Sequence, residues 1–290
     1  MRITLKQLRT FDAIARSGNV SRAAEEIALS QSAASMALAE LEQHLGASLF
    51  HRQGKRLALN DYGRWLQPQV YQLLQQAQAI ELSARSDELQ GRLVVGASST
   101  IGNYLLPALI AHFVQLHPAV QLDLKVGNTE QVVDDMLHMR IDIGLIEGPC
   151  HSHKLLVQRW RSDELCIFCS PGHPLATRQR PGLKALQQQR WILREAGSGT
   201  REVFAIASQG KLDPVDVILE LGNSEAVKQA VKTGVGLGCL SRLAIAAEIE
   251  HGELHVLPTR GLDLRRDFFM LQPAKSLDST LMKTFKAAIS

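Results

Sequence analysis

Apolar and polar positions alternate with a helical period over the first 45 residues of the chain. Leu5, Leu8, Phe11 and Ile14 recur three or four residues apart, which predicts a first helix with one apolar face. Two shorter helical segments that contain several alanines follow over residues 20–42. The N-terminal segment is therefore predicted to be a small helical bundle.

Residues 20–42 have the pattern of a helix-turn-helix. Ala24 and Ala28 are small enough to let two helix backbones approach each other, and Ser30 is placed to cap the second helix. Such a helix fits the major groove of B-DNA, where polar side chains near its start reach base edges and phosphates. We predict that three of them bind DNA, namely Gln31, Ser32 and Ser35. An ordinary alanine-rich helical hairpin is the alternative.

A basic hairpin is predicted directly after these helices. Short apolar segments flank a polar, glycine-containing turn within residues 48–59. A basic hairpin beside a recognition helix forms a winged helix, whose wing contacts the DNA backbone or the minor groove. We therefore predict that Arg52, Lys55 and Arg56 hold phosphates, and a solvated basic turn is the alternative.

A long helix is predicted from Asn60, which can cap it, to about Ser86. Its apolar and small residues recur four and three residues apart, as in a heptad repeat. These residues are Leu66, Val70, Leu73, Ala77, Ile80 and Ala84. A stripe this narrow is typical of a helix that pairs with its own copy, so we predict a homodimer. Packing of the helix on its own C-terminal domain is the alternative.

From residue 93 onward, apolar runs alternate with amphipathic segments, which predicts an α/β domain on a largely parallel sheet. The predicted strands cover residues 93–97, 120–126, 141–146, 165–169, 191–193, 217–221 and 236–240. The predicted helices cover residues 104–116, 132–139, 200–209 and 225–233. Ligands of such sheets bind beyond the carboxyl ends of the strands, where polar residues of this chain collect. These candidate effector-binding residues are Ser98, Ser99, Thr100, Asn128, Glu147, Ser198, Thr200, Asn223 and Ser224.

Short hydroxyl and amide side chains dominate this set, which indicates a small anionic effector. A helix N-terminus offers unpaired N–H groups and a partial positive charge, so it holds an anion without a nearby Lys. Glu147 fits poorly, since a carboxylate repels an anion. Either a proton shared with a weak oxyacid or a salt bridge from Glu147 to Arg201 resolves this conflict. Single positions can also be plain helix caps.

The distribution of charge supports a nucleic-acid partner for the N-terminal segment. Residues 1–64 hold nine Lys and Arg against six Asp and Glu, whereas the remainder of the chain is neutral. The length of 290 residues predicts about two domains. Neither a signal peptide nor a run of about 18 apolar residues is present, so we expect a cytoplasmic protein without a membrane partner. Four cysteines do not make a disulfide framework.

Three motifs resemble catalytic or metal-binding sites, but their surroundings in the sequence favour a structural role for each. Cys166 and Cys169 have CxxC spacing but lie in a predicted strand, where side chains three apart point to opposite faces. The Cys-His-Ser-His segment 150–153 lacks a second ligand pair at zinc spacing. Ser198 is accompanied by neither a Walker lysine nor a nucleophile elbow. We therefore expect no catalytic residue, metal or cofactor. An enzyme or solute-binding protein with an appended helical domain is the alternative class.

Taken in order, the chain resembles a LysR-type transcriptional regulator from end to end. The motifs that carry the resemblance are Leu5-Lys-Gln-Leu-Arg-Thr-Phe11, Ala23-Ala24, Leu29-Ser-Gln-Ser32, Leu41-Glu-Gln-His-Leu-Gly46 and Leu49-Phe50. Within that family, the segments at residues 97–104, 146–150, 193–195, 197–201 and 221–225 resemble a branch associated with sulfite sensing. Two positions depart from the family pattern. Met36 replaces an Arg of many members, so a DNA contact is missing, and Asn60 replaces the usual Thr.

The resemblance implies a winged helix-turn-helix over residues 1–60, a linker and dimerisation helix over 61–90, and an effector domain over 91–290. That domain is expected to be periplasmic-binding-protein-like, with two Rossmann-like subdomains of about residues 91–162 with 266–290, and 163–265. The implied partners are double-stranded operator DNA, RNA polymerase and a small anionic effector, sulfite first and sulfate or a small carboxylate behind it. The implied assembly is a dimer that forms a homotetramer.

Overall fold

The structure is a computed structural model, and it describes residues 2–53, 56–83, 88–274 and 278–290. Its N-terminal domain consists of α1 (Leu5–Ser17), α2 (Val20–Glu26), α3 (Gln31–Leu45), β1 (Phe50–Gln53) and β2 (Arg56–Leu59). The two strands pair antiparallel, from Phe50 opposite Leu59 to Gln53 opposite Arg56. The predicted helix-turn-helix and hairpin are therefore confirmed.

Local sequence signals set the ends of these helices. The Asn19 side chain accepts a hydrogen bond from the Ser21 N–H at the start of α2, and the Ser30 hydroxyl accepts one from the Ala33 N–H at the start of α3. Gly46 ends α3 in the left-handed region, with φ of 68°. The cap predicted at Ser30 is confirmed.

The crossing of α2 and α3 differs from the prediction at one position. Ala24 is buried, as expected, and so is Ala34 of α3. Ala28 does not lie where the two helix backbones approach each other, because it is exposed in the turn with φ of 56°. Ala23, which precedes Ala24 in α2, is fully buried instead. The turn requires a left-handed residue at position 28, and the small side chain reduces the cost of that conformation.

The long helix α4 (Asp61–Ser83) follows the hairpin. The Asn60 side chain accepts a hydrogen bond of 2.8 Å from the Gly63 N–H, which confirms Asn60 as the cap. The assignment of Leu66 and Val70 to a dimer stripe is wrong, because both pack into the core of their own winged-helix domain, where Val70 is 3% exposed. The predicted helix residues Ala84 and Ser86 lie outside the described residues.

The C-terminal domain follows with strands and helices in alternation. Its strands are β3 (Gly91–Ser98), β4 (Val120–Gly127), β5 (Ile143–Glu147), β6 (Leu155–Cys169), β7 (Arg190–Arg194), β8 (Asp216–Leu221), β9 (Leu237–Ser241), β10 (His255–Val256) and β11 (Arg265–Pro273). Its helices are a π-helical turn (Ile101–Leu105), α5 (Leu106–Leu116), α6 (Thr129–Leu137), α7 (Leu183–Gln187), α8 (Gly199–Ser208), α9 (Ser224–Lys232), α10 (Arg242–Glu250) and α11 (Thr280–Ile289). The α/β class predicted for this domain is confirmed.

Among the described residues, nine strands form one sheet in the order β4-β3-β5-β11-β6-β9-β7-β8, with β10 beside β6. The expectation of a largely parallel sheet is wrong, because β11 runs antiparallel to both β5 and β6. No prediction from the sequence covered β11, α10 or α11, and only the last five residues of β6 were predicted. These three elements all lie C-terminal to residue 240, where the last predicted strand ends.

Two groups of hydrophobic clusters define two lobes of this domain. The first lobe holds β3, β4, β5, α5, α6 and α11 around residues such as Val95 and Phe285. The second lobe holds β7 to β10 and α7 to α10 around residues such as Trp191. The long strands β6 and β11 pair with each other and connect the lobes.

The cysteines have structural surroundings. Cys166 and Cys169 belong to different hydrophobic clusters, which confirms that they point to opposite faces of the sheet. All four cysteines are free thiols. Burial raises the pKa of the Cys169 thiol to about 11, so it is a weak nucleophile. None of the helices in the described part of the chain is long and apolar enough to span a bilayer.

Candidate functional site

Strands β3, β5 and β7 end at the boundary between the two lobes. Their last residues are Ser98, Glu147 and Arg194. Seven of the nine predicted effector-binding residues are buried there, each no more than 6% exposed. They are Ser98, Ser99, Thr100, Glu147, Ser198, Thr200 and Ser224. The expectation that polar residues collect beyond the carboxyl ends of the strands, which we call the strand-end rule, therefore placed most of this cluster correctly.

The Glu147 carboxylate is the centre of the first group in the cluster. It accepts hydrogen bonds from the Thr100 N–H (3.1 Å) and the Thr100 hydroxyl (2.5 Å) of the first lobe. It also accepts one from the Thr200 hydroxyl (3.2 Å) of the second lobe. Glu147 thus joins the two lobes through two threonine hydroxyls.

The cationic partner of Glu147 is Arg266 on β11. The Arg266 Nη2 lies 2.6 Å from Glu147 Oε2, and its Nε lies 2.7 Å from Asp163 Oδ2. The alternative of a salt bridge from Glu147 to Arg201 is wrong about the partner. The arginine that pairs with Glu147 is Arg266, which β11 places beside the carboxylate. The Arg201 Nη1 is buried without a hydrogen-bond partner.

A second buried guanidinium, Arg194, organises the other hydroxyls. Its Nη2 donates to the Ser99 hydroxyl (3.2 Å) in the first lobe, and its Nη1 donates to the Ser224 hydroxyl (3.3 Å) in the second. Its Nε and Nη2 also donate to both carboxylate oxygens of Glu195, at 2.7 and 2.8 Å. Arg194 is 1% exposed, so its charge lies inside the domain.

The charges of the cluster nearly balance. Arg266 faces two carboxylates, Glu147 and Asp163, and Arg194 faces Glu195. Burial acts to raise the pKa of Glu147, but Arg266 and the Thr100 hydrogen bonds outweigh it and hold that pKa below its usual value. Glu147 is therefore ionised, and these five groups together carry one net negative charge.

The two asparagines of the predicted set lie at the edge of the cluster. Asn128 caps α6 by accepting from the Gln131 N–H, and its amide donates to Glu195 across the lobe boundary (3.2 Å). Asn223 is exposed and caps α9 by accepting from the Ala226 N–H. Asn223 thus matches the plain helix cap that the sequence left as an alternative.

Two buried hydroxyls stand beside these groups. The Ser98 side chain is fully buried, and its oxygen has no hydrogen-bond partner. Ser198 is 2% exposed and occupies the cap position of α8 without a side-chain capping bond. A buried hydroxyl without a partner costs free energy, so Ser98 offers a donor to a small ligand.

The two lobes touch closely at this boundary. A Cβ atom built on Gly199 would lie only 1.6 Å from the Glu147 carbonyl oxygen, and one on Gly197 would lie 2.4 Å from Glu130 Oε2. The Glu130 N–H also donates to the Gly197 carbonyl across the boundary (3.1 Å). The cleft is therefore closed, and glycine is required where the backbones meet.

The candidate DNA-binding surface lies on α3. Gln31, Ser32 and Ser35 are exposed along one face of the helix, beside Met36, which is 63% exposed. The hairpin strands β1 and β2 follow α3, as a wing would. Lys55 lies outside the described residues, and so do the side chains of Arg52 and Arg56.

Comparison with known proteins identifies the family. Residues 5–64 match the model of the bacterial regulatory helix-turn-helix proteins of the lysR family, and residues 86–290 match the LysR substrate binding domain. The chain belongs to the LysR family of transcriptional regulators. It is 46% identical over 254 residues to the HTH-type regulator YeiE of Escherichia coli strain K12, covering 88% of this chain and 86% of YeiE.

Two solved structures are similar to this LysR-type regulator. A full-length OxyR variant from Pseudomonas aeruginosa covers all of this chain and 95% of its own, with a TM-score of 0.80 and 23% identity. The CcmR regulatory domain of Synechocystis PCC6803, in complex with 2-PG, covers 69% of this chain and 96% of its own. Its TM-score is 0.65 and its identity 30%. The similarity to OxyR shows the fold, and the CcmR regulatory domain is a domain that binds a small molecule.

Sequence reasoning missed the two buried arginines of this regulator. Arg194 follows an apolar strand just as Ser98 does, so the strand-end rule could have found it. Arg266 could not be found in this way, because it lies near the start of β11 and reaches Glu147 only through antiparallel pairing. Asp163 lies within β6 and was missed for the same reason.

Replacing Gly199 with Ala is expected to open the cleft, because the new methyl group cannot fit beside the Glu147 carbonyl. We expect a loss of about 2 kcal/mol in the free energy of unfolding and faster amide exchange at residues 128–130. Urea unfolding and hydrogen exchange of the full chain measure both effects. Gly222→Ala is the matched control, since no atom lies within 4 Å of its added Cβ. Equal stability of the two variants would refute the closed geometry.

Glu147→Gln is expected to destabilise the chain most at neutral pH. The folded pKa of Glu147 is lowered, so its stabilising contribution is present above the unfolded value of about 4.5 and is lost as pH falls through the folded pKa. We expect a loss of about 3 kcal/mol at pH 7, which shrinks as the pH falls below that unfolded value. Denaturant unfolding at a series of pH values measures it against Glu250→Gln, an exposed control. A loss in the free energy of unfolding that does not depend on pH would contradict an ionised Glu147.

Proposed function

We propose that this regulator binds double-stranded operator DNA through paired winged helices. Gln31, Ser32 and Ser35 contact base edges, and Arg52, Lys55 and Arg56 contact phosphates. What supports this is the exposed polar face of α3, the hairpin after it and the concentration of positive charge in residues 1–64. The domain boundaries we assign to it are residues 1–60, 61–90 and 91–290.

We infer that α4 holds two copies of the chain together. Its outer face carries an apolar stripe of Trp65, Leu73 and Ile80, which are 59%, 45% and 70% exposed in one copy. Large apolar residues at this spacing favour a paired helix. A homodimer fixes the separation of two DNA-binding domains on a two-part operator. We further propose that dimers form homotetramers, act in the cytoplasm and contact RNA polymerase.

We propose that the effector is a small anion held at the boundary between the lobes. The observation that carries this proposal is the buried Arg194 guanidinium, which donates to Ser99 of one lobe and Ser224 of the other. A fixed cation surrounded by hydroxyls and helix N-termini suits an oxyanion. The binding set also includes Ser98, Thr100, Asn128, Glu147, Ser198, Thr200 and Asn223.

Among small anions, we propose sulfite first, with sulfate or a small carboxylate behind it. The motifs that resemble a branch associated with sulfite sensing support this order, and so does the charge of the cluster. The cluster already carries one net negative charge. Burial of a dianion there is therefore unfavourable unless a proton binds with it. Sulfite is the anion of a weak acid and holds a proton near neutral pH, whereas sulfate does not. A shared proton between sulfite and Glu147 relieves their repulsion.

Effector binding is proposed to change the balance between closed and open lobes. The effector competes with the Glu147 carboxylate for Thr100, Thr200 and Arg266, and these groups join the lobes. A ligand shifts such an equilibrium only by its difference in affinity for the two states. The lobe angle then changes the spacing of the DNA-binding domains through α4.

Titration calorimetry of the full chain with sulfite, sulfate and acetate tests the effector proposal. We expect sulfite to bind most tightly, with a heat that depends on the ionisation enthalpy of the buffer, because a proton is taken up. Thr100→Val with Ser198→Ala is expected to weaken sulfite binding. If none of the three anions binds, or if the double variant binds sulfite as well as the natural chain does, the site or the ligand class is wrong.

A further inference from the structure

The winged-helix domain rests on its own effector domain through polar contacts of α4. The Tyr71 hydroxyl donates a hydrogen bond to the Asp142 carboxylate, directly before β5. One turn earlier, the Gln67 side-chain amide donates to the carbonyl of His138 (3.4 Å). Gln67 is 4% exposed, so this face of α4 is covered by the effector domain. The alternative that α4 packs on its own C-terminal domain therefore holds for this face of the helix.

Asp142 is also fixed to the neighbouring strand. Its second carboxylate oxygen accepts from the Val94 N–H at 2.7 Å, and its own N–H donates to the Val94 carbonyl at 2.8 Å. Burial raises the pKa of Asp142 despite these hydrogen bonds. One carboxylate thus connects α4 to both β3 and β5.

The same two strands end at the candidate effector site. β3 and β5 pair in parallel, from Val95 opposite Ile143 to Ala97 opposite Leu145. Beyond these pairs they carry Thr100 and Glu147, which are hydrogen-bonded to each other. Asp142 and Glu147 are five residues apart on an extended strand, which is about 17 Å. A shift of Glu147 along the strand direction therefore moves the carboxylate that holds Tyr71.

The contact surface between the two domains is incomplete. A groove of about 840 Å³ remains between them, with Arg16 and Leu74 on one side and Arg92 and Met139 on the other. The buried Asp12 Oδ1 beside it has no hydrogen-bond partner. An interface with an open groove and an unsatisfied carboxylate oxygen is weaker than a packed core, so the domains can separate.

We propose that Tyr71 and Asp142 are positioning residues that dock the winged-helix domain on the first lobe, and that β3 and β5 link this docking to the effector site. The second half of this statement rests on the proposed function, whereas the docking itself does not. Rearrangement at Thr100 and Glu147 shifts the balance between docked and undocked DNA-binding domains. The contact thus supplies a route from effector to DNA within one chain.

Spin-label distance measurements on the full chain, without any effector, test the docking. The labels replace Gln43 on α3 and Leu116 on α5, both exposed, in a Cys150→Ser background diluted with unlabelled chain. We expect one narrow distance in the otherwise natural chain. Tyr71→Phe is expected to raise the undocked fraction about tenfold or more, since it removes a hydrogen bond to a charged group. Tyr62→Phe, on the same helix but stacked on Trp65, is the control and keeps the narrow distance.

Three results would overturn the docking: a broad distribution in the starting chain, a narrow one in Tyr71→Phe, or equal broadening in Tyr62→Phe. The strand link is tested in the same labelled chain by Gly199→Ala and Glu147→Gln, which alter the effector site and leave the Tyr71 and Asp142 side chains in place. We expect both to raise the undocked fraction, with Gly222→Ala unchanged. If both site variants keep the narrow distance, the link is refuted and the docking stands. Failure of sulfite to bind in calorimetry refutes the effector and leaves both distance results unaffected.

Discussion

Ser35→Glu in the recognition helix is expected to lower the operator affinity of the full chain by about a hundredfold. Ser35 is exposed in the middle of the polar face that begins at Gln31. A carboxylate there removes a hydroxyl contact and brings a negative charge to the phosphates that flank the major groove. Fluorescence anisotropy with labelled promoter DNA of its own or a neighbouring gene measures the loss.

The matched control for this variant is Ser162→Glu, which adds the same charge at an exposed position of β6 in the C-terminal domain. It is expected to retain operator affinity within a few-fold. Lys55→Ala with Arg56→Ala should instead weaken binding to all sequences and reduce the salt slope by roughly one unit per lost phosphate contact. Full operator affinity in Ser35→Glu would remove α3 from the interface.

Arg194→Met is expected to lower sulfite affinity by about a hundredfold or more, because it removes a buried guanidinium that joins the Ser99 and Ser224 hydroxyls of the two lobes. The domain is expected to remain folded, since the Glu195 side chain that loses its partner is 21% exposed and can be hydrated. Calorimetry measures the affinity, and near-ultraviolet circular dichroism checks the packing.

Two further variants give this experiment its controls. Arg194→Lys keeps the charge but not the two-pronged geometry, so we expect an intermediate loss of sulfite affinity. Arg265→Met removes an exposed arginine of β11, whose side chain is 80% exposed, and should bind sulfite normally. Natural sulfite affinity in Arg194→Met would exclude Arg194 from the effector site.

Periodicity and capping residues predicted much of the fold from the sequence. The three helices of the DNA-binding domain, with Ser30 as the cap of α3, follow from rules that act within a few residues. The same applies to the hydroxyls beyond β3, because a buried strand followed by Ser98 and Thr100 marks a carboxyl end. Local signals were sufficient wherever the structure depends on local contacts.

The remaining features depend on contacts between distant residues. Val70 fits a heptad stripe, yet it packs on α1 because the winged-helix core needs an apolar face from α4. Arg266 reaches Glu147 across paired strands whose positions in the sequence lie more than a hundred residues apart. Nothing in the sequence around either residue indicates its partner. The buried charges of the site therefore required the structure.

Effector control of DNA binding is tested by the operator affinity of the full chain with and without sulfite. We expect saturating sulfite to change the operator Kd of the natural chain by about 5- to 150-fold, the range typical of coupled sites. We expect no change in Arg194→Met, whose operator affinity without sulfite stays close to natural. Effector control through this site would be contradicted if sulfite, sulfate and acetate all left the operator Kd of the natural chain unchanged, or if Arg194→Met responded as strongly as the natural chain.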